Sequence, residues 1–273
     1  MGRPLLSILI PAFNFVNGIE RIFKSFDGNF YSSEIEIIIS DDSTNDQIKF
    51  FYEKYLKDKA NIHYYKQTIN LGGVNNWNFL IKKSNGYFYW LLHHDEYPFS
   101  PNFFKSLLDQ LRKKKYNIFL LDLILVDFNK VSAQSKHMPN TLKKIVIQYF
   151  PSYLFIRNVV GPPSVIICSK KINLSYDKKL LFYPDVDFFY RIFNHKKKSI
   201  YYLDLQIASL YGRNDSITAL MRDKNIIKNE LLYLSRKHKS VWFFGNHLSI
   251  LLRFIELPFW MLFRVAYKLK AFL

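Results

Sequence analysis

Residues 37–46, IIISDDSTND, run from apolar and small side chains straight into two carboxylates and a cluster of turn-formers. That pattern predicts a buried strand ending at a polar crevice. In open α/β sheets, ligands bind at the carboxyl ends of strands. Asp41 and Asp42 stand where they could hold the base and ribose of a nucleotide. A second edge, residues 87–96, YFYWLLHHDE, ends a long apolar and aromatic run in His93, His94, Asp95 and Glu96. Two acidic strand ends in this order suggest a nucleotide site beside a metal–diphosphate site. The competing reading is that these are ordinary turn carboxylates, because Asp and Ser are common turn residues. Either stretch alone is compatible with that; the pair favours chemistry.

The elements that must position these residues alternate. Residues 5–10 form a compact β-type run that Pro11 stops. Ile19, Ile22, Phe23 and Phe26 have helical spacing. Residues 35–39 are the second strand, and 47–56 read as a helix with Asp46 as N-cap. Residues 62–66 are a short strand, 72–83 a loop entering a helix, and 87–92 the next strand. Phe103, Phe104, Leu107, Leu108 and Leu111 form one face of a helix after Pro101. Residues 118–128 are a strand, or a strand pair with a bend. This order predicts an α/β fold with a mainly parallel central sheet flanked by helices. Beyond it, 145–156 and 188–193 look helical, and 165–168 and 200–203 look like short strands. No repeat, low-complexity tract or Gly/Ser-rich linker is evident.

Composition narrows the function classes. A chain of 273 residues with 49% hydrophobic content can bury a sizeable core. A net charge of +17 and a pI near 9.7 favour anionic partners: nucleotide diphosphates, nucleic acid or an acidic membrane surface. The basic runs at 112–115 and 196–198 are read as solvated helix ends or turns. The basic residues are spread along the chain, without zinc spacing, a helix-turn-helix pattern or an aromatic RNA-binding motif, so no nucleic-acid partner is expected. The single cysteine, Cys168, rules out an internal disulfide and a Cys-based zinc site. It lies in an apolar run and is expected to be a buried, inert thiol. The absence of disulfides fits a reducing cytoplasm, and the chain enters its first strand without a signal-peptide pattern.

The C-terminal part differs. Residues 221–239 read as a basic helix. From Val241 the chain is aromatic and aliphatic with scattered cations. Arg253, Glu256, Pro258 and Arg264 interrupt the roughly 20-residue apolar run that a spanning helix needs. An interfacial amphipathic helix pair on anionic headgroups is the expectation. A helical hairpin packed on the protein's own core or in a homo-oligomer is the alternative. The division is a main domain over 1–220 and a basic, amphipathic helical extension over 221–273.

Five stretches in order resemble family 2 inverting nucleotide-sugar glycosyltransferases of GT-A (Rossmann-like) fold, the bacterial surface-polysaccharide type. They are PLLSILIPAFN (4–14), ISDDSTND (39–46), the run from Asn70 to Glu96, GPPSVIICSKK (161–171) and DVDFFYRI (185–192). The resemblance spans about residues 4–220. It implies transfer of a sugar from a nucleotide-diphosphate sugar, UDP-linked, to an acceptor hydroxyl with inversion. Pro11 and Phe13 belong to its opening turn, with Phe13 stacking on the base. Asp42 accepts from a uracil-type N–H, Asp41 holds the ribose or caps the turn, and Asn70 and Asn76 order the loop beside the donor. Asp95 and Glu96 hold Mn2+ or Mg2+. Asp185 is the catalytic base, Asp187 its spare, and Arg191 orients the carboxylate. Further diphosphate or acceptor contacts are His93, His94, Asp187, Arg191, Arg213 and Asn214. The chain departs from the family where His93-His94-Asp95, followed by Glu96, stands for its Asp-x-Asp, where Pro184 precedes Asp185 in place of Glu, and where Asn214 stands for a His. A degenerate transferase fold that only binds nucleotide or nucleic acid is the alternative to the enzyme. The implied acceptor is a glycan or lipid-linked glycan. The implied location is cytoplasmic, peripheral on the inner face of the cell membrane.

Overall fold

The computed structural model describes residues 2–26, 32–128, 134–136, 140–196, 198–212 and 223–238. The first four long strands are β1 (Leu6–Ala12), β2 (Ile35–Asp41), β3 (Ile62–Lys66) and β4 (Phe88–Leu91). They pair in parallel in the order β3-β2-β1-β4. β1, β2 and β4 are buried along their whole length, as parallel strands covered on both faces should be. Helices α1 (Val16–Ser25), α2 (Gln47–Tyr55) and α3 (Gly73–Lys83) make the crossovers. The strand order reverses between β1 and β4. Right-handed crossovers therefore put α3 on the face opposite α1 and α2. A ligand crevice belongs at this switch point, beyond the carboxyl ends of β1 and β4.

The sheet continues past β4 with mixed polarity. β8 (Ile166–Ser169) pairs antiparallel with both β4 and β6 (Ile118–Asp127), while β9 (Ile200–Tyr211) runs parallel to β6. β5 (Glu96–Pro98) pairs antiparallel with β9 and β7 (Gln134–Lys136) with β6, giving nine strands among the described residues. The bend expected in 118–128 is a register shift between Leu120 and Asp122. Helix α4 (Phe103–Arg112) sets Phe104 edge-on against Phe26, at 4.9 Å between ring centroids, and closes the core beside Trp90. Cys168 is buried, and burial pushes its thiol up to about 12, so it is the inert thiol expected.

Three boundaries differ from expectation, each for a physical reason. Pro11 lies inside β1. The β4 pairing ends at Leu9, so the N–H that proline lacks faces no partner strand. Residues 145–156 split into α5 (Asn140–Tyr149) and a 3-10 turn (Pro151–Phe155), because Pro151 cannot continue a helix. The strand at 200–203 extends to Tyr211 because both β6 and β5 supply edges for it. Two more helices among the described residues are α6 (Pro184–Phe193) and α7 (Lys224–Lys237). Among the described residues, no helix is long and apolar enough to cross a membrane. The membrane expectation for residues from Val241 onward lies outside the described residues, as do Arg213 and Asn214.

Candidate active site

The end of β2 divides its two carboxylates by task. Asp41 is fully buried. Its Oδ1 accepts from the Ser43 N–H (2.9 Å), and its Oδ2 accepts from the Tyr64 hydroxyl (2.6 Å) and Lys66 Nζ (3.3 Å). Asp41 therefore shapes the turn from behind. Asp42 accepts from the Leu71 N–H (2.8 Å) and the Gly72 N–H (2.9 Å), one on each oxygen. This draws the loop after β3 over the crevice. Gly72 has φ +72, the left-handed region that glycine enters without strain, and Asn70 Oδ1 accepts from the same Gly72 N–H. Asn76 is buried one turn into α3 and donates to the Ser40 carbonyl (3.2 Å), tying α3 to β2. Phe13, just past β1, is 44% exposed and offers an open ring at the crevice mouth. Asn14 beside it adopts φ 48 and bonds Thr44 and Asn45, joining the two strand ends.

The end of β4 turns sharply into β5. The His94 ring donates from Nδ1 to the Pro11 carbonyl (3.1 Å), linking this turn to β1. Gly18 in α1 allows the approach: a Cβ there would collide with the His94 carbonyl oxygen and the Phe15 ring. His93, Asp95 and Glu96 each offer a ligand atom, all within 4.8 Å of one another. His93 stacks on Trp77 (5.0 Å), and burial pushes its imidazole down to about 4, so it is a neutral lone-pair donor at pH 7. Burial, then the neighbouring Asp95, pushes the Glu96 carboxyl well above its usual range. Glu96 accepts from the Ser164 hydroxyl and from the His93 N–H (3.3 Å).

A divalent cation fits this donor set. His93 Nδ1 lies 3.9 Å from Glu96 Oε2, and the two carboxyl groups crowd one another in a way a positive charge relieves. An imidazole among carboxylates suits Mn2+ better than Mg2+, whose preference for oxygen is stricter.

The third component is Asp185, in the first turn of α6. Its Oδ1 accepts from the Val186 N–H (2.8 Å) and its Oδ2 from Asn158 Nδ2 (3.0 Å). Burial raises its carboxyl to about 6 against these favourable bonds. Asn158 also braces the turn before β8: its Oδ1 accepts from the Val160 and Gly161 N–H groups, and its Nδ2 donates to the Gly161 carbonyl. An aromatic ladder runs between the two acidic centres. His93 stacks on Trp77, Trp77 meets Tyr176 edge-on (5.0 Å), and Tyr176 stacks on Phe188 of α6 (4.1 Å). Asn78 fixes the ladder by bonding both the N–H and the carbonyl of Tyr176.

Two expected contacts are engaged elsewhere. Asp187 is fully buried and receives Arg191 Nε (2.8 Å), Lys237 Nζ (2.9 Å) and His238 Nε2 (2.7 Å). Burial alone would raise its carboxyl; His238, Arg191 and Lys237 outweigh that and hold it below its ordinary value. Asp187 is thus an anchor and no spare base. Arg191 grips Asp187 and the Ser175 carbonyl (2.7 Å), not Asp185. The positioning of Asp185 falls instead to Asn158, which the sequence reading did not single out. An Asn three residues before a Gly that needs φ +115 was the available signal. Ser164, on Glu96, and Trp90, whose Nε1 donates to the Ser164 carbonyl (2.6 Å), were likewise missed.

Comparison with known proteins agrees with this architecture. The family model for glycosyl transferase family 2 matches residues 7–176. An uncharacterized glycosyltransferase of Rickettsia typhi is 27% identical over 207 residues, covering 73% of this chain and 61% of that one. One from Rickettsia prowazekii is 28% identical over the same coverage. The chain thus spans about three fifths of the length of these relatives. The crystal structure of S. aureus TarS 1-349 in complex with UDP-GlcNAc superposes with a TM-score of 0.54 at 16% identity, over 78% of this chain and 60% of that one. At that identity the likeness speaks for the fold, GT-A, alone.

Proposed function

The chain belongs to glycosyl transferase family 2, and on that premise we propose that it moves a sugar from a UDP-linked donor to an acceptor hydroxyl with inversion. The observation that carries this reading is Asp185: a carboxyl raised to about 6, held by Asn158, and joined by the aromatic ladder to the His93–Asp95–Glu96 cluster. A base for an acceptor hydroxyl works best with a pKa near the working pH. Asp185 takes the hydroxyl proton as the acceptor oxygen bonds to the anomeric carbon. The bond from that carbon to the diphosphate oxygen breaks on the opposite face, which inverts the centre. Phe13 stacks on the base, and Asp42 accepts from its N–H with the lone pairs left over from Leu71 and Gly72. Asp41, Asn70, Asn76 and the Pro11 carbonyl hold that surface from behind. Bound Mn2+ or Mg2+ at His93, Asp95 and Glu96 supplies positive charge for the leaving nucleoside diphosphate. His94 keeps the cluster registered against β1.

The proposed acceptor is a glycan or lipid-linked glycan of a bacterial surface polysaccharide, met at the cytoplasmic face of the membrane. The +17 charge and the apolar-cationic stretch from Val241 support that setting. The test is a panel of UDP-, GDP- and dTDP-sugars with and without Mn2+, assayed by release of nucleoside diphosphate and compared with Asp185→Asn. Turnover of one donor that needs both the metal and Asp185 is expected. A protein that neither binds nor turns over any donor of the panel is not this enzyme.

A further inference from the structure

The helix carrying Asp185 receives no side-chain cap from its N-cap position. Tyr183, its N-cap residue, makes no side-chain capping bond, and Pro184 opens the helix. The N–H groups ahead of that opening are instead taken by a residue nearly fifty positions later. Glu230 of α7 is 6% exposed. Its Oε1 accepts from the Leu181 N–H (2.6 Å) and Phe182 N–H (3.2 Å), and its Oε2 from Phe182 (3.0 Å) and the Tyr183 N–H (3.0 Å). A carboxylate at a helix N-terminus is favoured by both the hydrogen bonds and the helix dipole.

The same helix grips α6 a second time. Lys237 and His238 hold Asp187, and Lys237 Nζ also reaches Asp177 (2.6 Å), which accepts in addition from the Tyr233 hydroxyl (2.8 Å). Glu230 and Lys237 lie seven residues apart and so share one face of α7. Asp185 sits between the two grips, one residue after Pro184 and two before Asp187. Its carboxylate is held by Asn158, and the backbone leading into its helix is held by α7.

We propose that Glu230 is a positioning residue for sugar transfer: by binding the N–H groups of Leu181, Phe182 and Tyr183 it fixes where the first turn of α6 presents Asp185. This rests on the reading of Asp185 as the base. Glu230→Gln leaves one amide NH2 facing backbone N–H groups and so keeps only part of the grip; Glu230→Asp keeps the charge but falls short by one methylene. The donor that turns over best in the panel above is the probe. Folding is checked by circular dichroism and thermal melting, and Asn229→Ala, an exposed neighbour on α7, is the control.

The expected result is a folded Glu230→Gln protein with kcat lowered about 10- to 100-fold and an unchanged KM for the donor, while Asn229→Ala behaves as wild type. In an Asp185→Asn background, Glu230→Gln should cause no further loss, because it acts through that carboxylate. An unchanged kcat in both Glu230 variants while Asp185→Asn is inactive overturns the proposal and leaves the base assignment standing. An equal loss in the Asp185→Asn background overturns it too. Unfolding of both Glu230 variants assigns the carboxylate to stability alone and also refutes it. Wild-type turnover in Asp185→Asn by itself removes the base assignment and the proposal with it.

Discussion

Asp185→Asn should make the protein more stable and less active at once. In the folded chain the carboxyl titrates at about 6, against an unperturbed 3.8, because burial disfavours the anion. The folded state thus holds this proton more tightly than the unfolded chain. That contribution is fully present below about pH 4 and is lost as pH rises through about 6. Two pKa units at ~1.4 kcal/mol each put the ionised group at a disadvantage of about 3 kcal/mol above pH 7. Asn removes the charge but can serve only one of the two donors, Val186 N–H or Asn158 Nδ2, which gives back about 1 kcal/mol. A net gain of about 1–2 kcal/mol at pH 8 remains, or roughly 2–6 °C in melting temperature for a chain of this size. The pH dependence is the sharper readout. Between pH 5 and pH 8 the advantage over wild type should grow by about 1 kcal/mol in urea unfolding, since the lost hydrogen bond does not titrate and the carboxyl does. Turnover should fall by about 10²–10⁴. A stability difference that is flat with pH refutes the desolvated carboxyl, and wild-type turnover refutes the base.

Four further outcomes are expected. In wild type, kcat/KM should rise with pH through about 6 and then level, because Asp185 must be ionised to take a proton; a profile flat from pH 5 to 8 contradicts this. Gly18→Ala should lower stability by about 1–3 kcal/mol in denaturant unfolding, since its Cβ meets the His94 carbonyl rather than a yielding side-chain tip. EDTA should abolish transfer, and Asp95→Ala should weaken UDP binding in calorimetry, whereas full activity in EDTA would mark a metal-independent site. Flotation with anionic liposomes should recover the intact protein at low salt and lose it in high salt or on truncation before Val241; an intact chain that stays behind with anionic vesicles does not use that segment for membranes.

Much of this arrangement could be read from residue patterns because it rests on short-range rules. The strands of the parallel half announce themselves as apolar runs, and the two acidic strand ends lie at the switch point that such a sheet creates. What stayed hidden depends on partners distant in the chain. Asp41 and Asp42 look alike in sequence; only Tyr64 and Lys66 on one side and the 71–72 backbone on the other divide their work. Asp185 and Asp187 present the same problem two residues apart, and α7, far along the chain, resolves it. β5, three residues long, has no pattern of its own and exists because β9 offers an edge. Pro11 was misleading because a proline ends a strand only where its missing N–H would have had a partner.

That last pairing has a consequence for how the protein acquires its site. Glu96 is registered against Ser209, and the Leu210 N–H bonds the Asp95 carbonyl (3.0 Å). The loop bearing the proposed cation ligands is thus closed by a strand made more than a hundred residues later. Contacts of such long sequence separation form late and slowly, because the loop entropy must be met before they are rewarded. On the ribosome, the β3-β2-β1-β4 half can assemble while the second half is still being made. Ligand geometry at His93, Asp95 and Glu96 must wait for residue 210. Under the proposed function, assembly of the cation site is therefore a late event in the life of each new chain, coincident with completion of the sheet.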